Sequence, residues 1–222
     1  INWQRLSRNP NGEALKLLRL YPENIDWPYL CFNSHPEALE LLRLHPENIC
    51  WEWLSGNSHP EALQLLQLNP NKINWYWLSG NSHPDALKLL RLYSDKIDWG
   101  MLSQNSNGEA LQLLRKNHEK IDWDRLSMNS HSDALQLLQK NPEKINWYWL
   151  SWNSNVDALE MLRENPEKIA WCGLSANPNI FTYDYKAMRE SHMELKQELI
   201  ERMFHPKNID KFESWGFGVD DL

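Results

Sequence analysis

Residues 73–96 read INWYWLSGNSHPDALKLLRLYSDK, and residues 145–168 read INWYWLSWNSNVDALEMLRENPEK. The two segments share one frame, and it runs outward in both directions at a fixed period of 24 residues. Ile recurs at Ile1, Ile25, Ile49, Ile73, Ile97, Ile121, Ile145 and Ile169, each followed two places later by Trp, from Trp3 to Trp171. Leu6 to Leu174 and Asn9 to Asn177 recur at the same interval without exception. Such a period without insertions is the mark of a stacked array, because every copy must meet its neighbour in the same way.

Each repeat reads as two short helices. The first follows I-[DN]-W-x-x-L-S-x-N, with Asp26, Asn74, Asp98, Asp122 and Asn146 placed to cap its start. Ser34/Glu37, Ser58/Glu61 and Ser82/Asp85 suggest a capping box for the second, with Pro36, Pro60 and Pro84 in its first turn. Ala38, Leu39, Leu41 and Leu42 typify its apolar face, and Asn69-Pro70 or Asn141-Pro142 ends it. Neither helix is long enough to stand alone. The expected fold is therefore all-α, a right-handed α-solenoid of two-helix 24-residue repeats. Residues 1–177 hold seven complete repeats plus the first helix of an eighth. Residues 178–222 break the pattern; Phe181, Tyr185, Met188, Leu195, Leu199 and Met203 keep helical spacing, which predicts C-terminal capping helices.

The unit I-[DN]-W-x-x-L-S-x-N-[SP]-x-x-x-A-L-x-L-L-x-x-N-P-x-K resembles the repeats of proteins from large nucleocytoplasmic DNA viruses, the giant viruses. The ending, Pro178-Asn179-Ile180-Phe181, Tyr183-Asp184-Tyr185 and His205-Pro206-Lys207-Asn208-Ile209, is similar to the close of those proteins. The unit length also resembles leucine-rich variant solenoids, which alternate an α-helix with a 3₁₀ turn. The viral resemblance implies a repeat fold and a viral origin, and no catalytic residues.

Composition narrows the function. The chain of 222 residues is 41% apolar and 24% charged, with 13 Trp and only 8 Gly. Its 30 acidic residues against 23 Lys and Arg give a net charge of −7, which argues against a polyanion partner. No signal peptide or membrane-length apolar run is visible, so the expected setting is intracellular, host cytoplasm or virion. Cys31, Cys50 and Cys172 occupy three different repeat positions and read as incidental reduced thiols.

Comparing the repeats with one another separates frame from variation. Positions 1, 3, 6, 9, 15 and 18 scarcely change and form the packing set; the Trp3 series reads as core and the Asn9 series as a ladder, ending its helix in a left-handed turn. Positions 4, 5 and 8 change almost every time and share the opposite face of the first helix. They hold Tyr29, Phe32, Trp53, Tyr76, Trp77, Met101, Arg125, Tyr148, Trp149 and Trp152. Drift on a free surface favours Lys, Glu and Ser, whereas Tyr, Trp, Arg and Met are the residues of interface centres, so this row is the candidate partner-binding strip. The rival reading is that its aromatics fill the groove between first helices.

Other rows point less firmly. His35, His59, His83 and His131 recur, but neighbouring helices lie ~8–10 Å apart, too far for a shared zinc, so no metal site and no cofactor are expected. The Arg19, Arg43, Arg91, Arg115, Arg163 row and the Lys72 to Lys168 row could track phosphates, but the arginines suit helix C-termini equally well. Leu20, Leu44, Leu68 and Leu92 give way to Lys116, Lys140 and Glu164, which reads either as marginal burial or as an apolar ridge for a partner. The chain begins at Ile1 on the first position of a repeat, leading to the expectation of an upstream continuation or end-to-end self-association. No acid/base pair, activated nucleophile or phosphate loop rises above the repeat background, so an enzyme is not expected. The sequence therefore points to a non-catalytic protein-interaction scaffold, with a virion structural protein as the alternative and a nucleic-acid-binding repeat protein third.

Overall fold

The computed structural model describes residues 1–179 together with 197, 198 and 201. The chain divides into two compact bodies, Ile1–Asn179 and Ile180–Leu222. Within the second, Gln197, Glu198 and Glu201 are helical and exposed; the expected C-terminal cap otherwise lies outside the described residues.

The first body is an α-solenoid. Its described elements are all helical, and the first helices of successive repeats pack on one another in one layer while the second helices pack in another. In repeat 4 the first helix spans Trp75–Gly80, the second Pro84–Leu92, and a third element, a 3₁₀ helix, covers Ser94–Lys96. That third element recurs in each of the seven complete repeats, so the two-helix description gains a short turn of helix. Proline both ends the α-helix and starts the turn. At Asn69-Pro70 the backbone leaves the α region, yet the fixed φ of Pro70 suits the first position of a 3₁₀ helix closed by Lys72 N–H donating to Asn69 O at 2.9 Å.

Leucine and alanine make the core. Leu78, Leu87 and Leu90 of repeat 4 are fully buried, with Ala86 between the layers, and the same positions recur along the array. Burying each such leucine contributes roughly 1.5–3 kcal/mol. The invariant tryptophans are not core, contrary to the sequence reading. Each from Trp3 to Trp147 is half-buried, and Trp171 is 67% exposed. Trp begins the first helix, so its ring lies at the rim and covers the end of the second helix in its own repeat. Trp3 meets Tyr21, Trp27 meets His45 and Trp75 meets Tyr93 at centroid distances of 5.7, 5.1 and 5.2 Å. Lys120 and Lys168 lie over Trp99 and Trp147 at 4.8 and 4.5 Å.

Two buried polar ladders tie the repeats together. The Asn9 series ends its helices in extended backbone, not in the expected left-handed turn; Asn81 has φ −76° and ψ 117°. Its Nδ2 donates back to the Ser55 and Asn57 carbonyls of the preceding repeat at 3.3 and 3.0 Å, while its Oδ1 accepts from His83 N–H at 3.0 Å. The amide reaches backwards, because only the preceding turn presents free carbonyls to it. The second ladder is the serine that follows the invariant leucine. Ser79 Oγ donates to Trp75 O at 2.7 Å and accepts from Asp98 N–H of the next repeat at 3.0 Å. The Leu-Ser pair, broken only by Leu30-Cys31, carries this signal, but a buried hydroxyl shared between repeats cannot be told from an exposed one by recurrence.

Capping also shifts by one residue. The second helices are capped from position 11 and not by the serine before it: His35, His59, His83 and His131 each accept at Nδ1 from the N–H two residues on, His83 from Asp85 at 3.2 Å. In repeats 2–4 a proline holds the first helical position, so the residue immediately before it must be the cap. Asn11, Asn107 and Asn155 do the same work through Oδ1.

Candidate interaction face

Because the first helices stack directly, positions 4, 5 and 8 of one repeat lie beside those of the next. Position 5 therefore becomes a row of side chains packed against one another. Tyr29 meets Trp53 at 5.8 Å, Phe32 meets it edge-on at 6.1 Å, and Trp53 stacks on Trp77 at 6.0 Å with 20° between planes. These four rings are half-buried and pack on one another between first helices, as the groove-filling reading expects. Trp77 Nε1–H donates to Glu52 Oε1 of the preceding repeat at 3.4 Å.

Glycine at position 8 gives the row its room. A Cβ on Gly56 would lie 3.3 Å from the Phe32 ring, and one on Gly80 only 2.6 Å from Met101 Cε. Met101 thus follows Trp77 in the row, and with Gly80 and Gln104 it lines an open recess of about 260 Å³. Arg125 comes next but leaves the row. Its guanidinium crosses Gly100 to lie over Tyr76, with Cζ 6.0 Å from the ring centroid. Asp122 Oδ2 is 3.6 Å from its Nε, and its buried Nη1 has no acceptor.

The outer edge is formed by Tyr76, Tyr148 and Trp152, which are 42%, 47% and 42% exposed. Tyr76 stands edge-on to Trp77 at 5.6 Å and Tyr148 edge-on to Trp149 at 5.0 Å. Trp152 lies over Gly173, where a Cβ would come within 2.7 Å of the indole. Apart from Arg125, the strip thus divides into an inner row of half-buried side chains and the outer rings Tyr76, Tyr148 and Trp152.

Searches against known proteins returned nothing. The chain matches no family model, no curated protein and no solved structure. The site is therefore read from its own geometry.

Four arginines of the Arg19 row pair with acids of the following repeat. Arg43, Arg91 and Arg115 pair with Glu61, Glu109 and Asp133 of the following repeat at 3.0, 2.9 and 3.2 Å, and Arg19 pairs with Glu40. Such exposed pairs are worth little individually, but they occupy the guanidinium groups. Leu20, Leu44, Leu68 and Leu92 are 72%, 69%, 78% and 71% exposed, so the marginal-burial account of this row does not hold. Among the described residues no cluster of His, Cys, Asp and Glu has the arrangement to hold a metal, and no helix is long and apolar enough to cross a membrane.

Cys31 differs from the other two cysteines. It takes the place of the ladder serine, is fully buried, and accepts from Cys50 N–H at 3.2 Å. Burial pushes its thiol up to about 12. Cys50 is half-buried and Cys172 exposed.

Proposed function

We propose that this chain is a non-catalytic interaction module that binds a protein or peptide along the first-helix face. The observation that carries the reading is the pairing of an unvarying frame with outer positions whose residues change along the array and hold exposed aromatic rings in repeats 4 and 7. Tyr76, Tyr148 and Trp152 remain 42–47% exposed although the residues around them are packed. Large rings held by neighbours lose little conformational freedom on binding, which is why Tyr and Trp dominate interface hot spots. Trp77 backs Tyr76 and Trp149 backs Tyr148, each edge-on.

The test is selection of peptides from a displayed random library on the 222-residue chain, followed by affinity measurements on variants. Tyr148→Ala and Trp152→Ala are expected to weaken selected peptides at least tenfold while leaving the melting temperature nearly unchanged. Peptides that bind both variants as tightly as the parent would place the binding surface elsewhere.

A further inference from the structure

The heptapeptide Ile-Asn-Trp-Tyr-Trp-Leu-Ser occurs twice, at 73–79 and 145–151. Both copies fold alike. Asn74 and Asn146 cap the helix by accepting from Trp77 and Trp149 N–H at 3.2 Å each. In each the tyrosine stands edge-on to the second tryptophan and keeps 42% or 47% exposure. They differ in what lies on the tyrosine ring. Over Tyr76 lies the guanidinium of Arg125, which reaches it across Gly100. Over Tyr148 no described cation lies; the positions of the next repeat that match Gly100 and Met101 are the uncharged Cys172 and Gly173, and the repeat that would carry a counterpart of Arg125 falls beyond Asn177, where the pattern breaks.

The internal copy shows what the ring surface accepts. Arg125 has only Asp122 near its Nε, at 3.6 Å, and its Nη1 has no acceptor. The Tyr76 ring and Gly100 are therefore what that guanidinium faces besides Asp122. Arg8 over Phe32, with Cζ 5.7 Å from the centroid, repeats the arrangement on the same side of the first-helix layer. A planar cation over a tyrosine or phenylalanine face is attracted by the ring quadrupole, and arginine does this more often than lysine.

The open copy also has more to offer than the closed one. Trp152, 42% exposed above Gly173, adds a third ring beside Tyr148 and Trp149. The exposed Asp124 carboxylate is held next to the same helix by Asn146 Nδ2–H at 2.7 Å. The whole chain carries a net charge of −7, which favours the approach of a cation.

We propose that the surface of Tyr148, Trp149 and Trp152 is an arginine-binding site, which seats a partner's guanidinium on the Tyr148 ring as Arg125 is seated on Tyr76. Asp124 is the acid that the incoming guanidinium meets. This rests on the first-helix face being the interaction surface and names the chemistry of its anchor.

The experiment uses the full chain with ¹⁵N-labelled tryptophan indoles, titrated with acetyl-Gly-Arg-Gly-amide. The Trp149 and Trp152 indole resonances are expected to move saturably in the millimolar range, and less at high salt. A glutamine-containing control peptide leaves them in place, and Tyr148→Leu abolishes the response. Arg125→Gln uncovers Tyr76, so in that variant the Trp77 indole begins to respond as well, reporting a second site. Indoles that stay still, or that move equally in Tyr148→Leu, overturn the proposal. If displayed peptides nonetheless bind the face without arginine, the arginine site falls alone; if no displayed peptide binds the face, both readings fall.

Discussion

Asn81 Nδ2 donates to the carbonyl oxygen of Asn57, the equivalent residue one repeat earlier, at 3.0 Å, and Asn57 does the same to Asn33 at 3.0 Å. Each asparagine is thus both donor to the repeat before and acceptor, through its own carbonyl, for the repeat after. The side chains are nearly fully buried, so the bonds are shielded from competing water.

Breaking one rung is expected to be expensive. Asn105→Ala removes the donor to the Ser79 and Asn81 carbonyls, each at 3.0 Å, and the acceptor for Asn107 N–H. Leaving buried backbone groups unpaired costs about 1–3 kcal/mol each, so a total loss of ~3 kcal/mol or more is expected. Urea denaturation followed by far-UV circular dichroism measures it.

The cap position gives a milder, two-sided prediction. His83→Ala loses the acceptor for Asp85 N–H and is expected to cost about 1 kcal/mol. His83→Asn, which copies the residue found at Asn107, is expected to be neutral or slightly stabilising. Replacing Ser82 by Ala, by contrast, leaves thermal stability unchanged, since that exposed serine does not cap the helix.

Cys31 predicts a pH dependence. Its folded thiol is raised from an ordinary 9.0 to about 12, so between those values the folded state holds a proton that the unfolded state releases. Stability is therefore complete below about 9 and falls as pH rises towards 12. Cys31→Ser restores the regular ladder residue and is expected to remove that alkaline loss in pH-dependent denaturation. At neutral pH a thiol reagent should label exposed Cys172 quickly and Cys31 only on unfolding.

The inner and outer rings of the interaction face should separate in a stability measurement. Trp53→Ala loses contacts with Tyr29, Phe32 and Trp77 and is expected to cost ~2–4 kcal/mol. Tyr148→Ala, with one ring partner and 47% exposure, is expected to cost less than ~1 kcal/mol. Thermal melts of the two variants distinguish these outcomes.

Much of this was legible from repetition alone. Leu78, Leu87 and Leu90 are apolar at helical spacing, and burial on one face follows directly. The cap at His83 was misplaced by one residue because Ser82 fits the consensus better, although Pro84 already marked where the helix begins. Trp75 was misjudged for a different reason. An invariant large ring looks the same in sequence whether it fills a core or covers a rim, and its contact with Tyr93 makes it a cover.

The sequence by itself determined the repeat length, the order of helices and the residues free to vary, because these depend on interactions within about one turn of chain or on strict recurrence. Only the tertiary structure decided which rows are sealed and which stay open. That depends on how one repeat lies on the next, a relation no single repeat contains. Leu92 and Leu90 are both leucines of one helix, yet one is 71% exposed and the other fully buried. Tyr76 and Tyr148 sit in identical heptapeptides, yet among the described residues a cation lies over the first alone, where an arginine two repeats further along crosses Gly100.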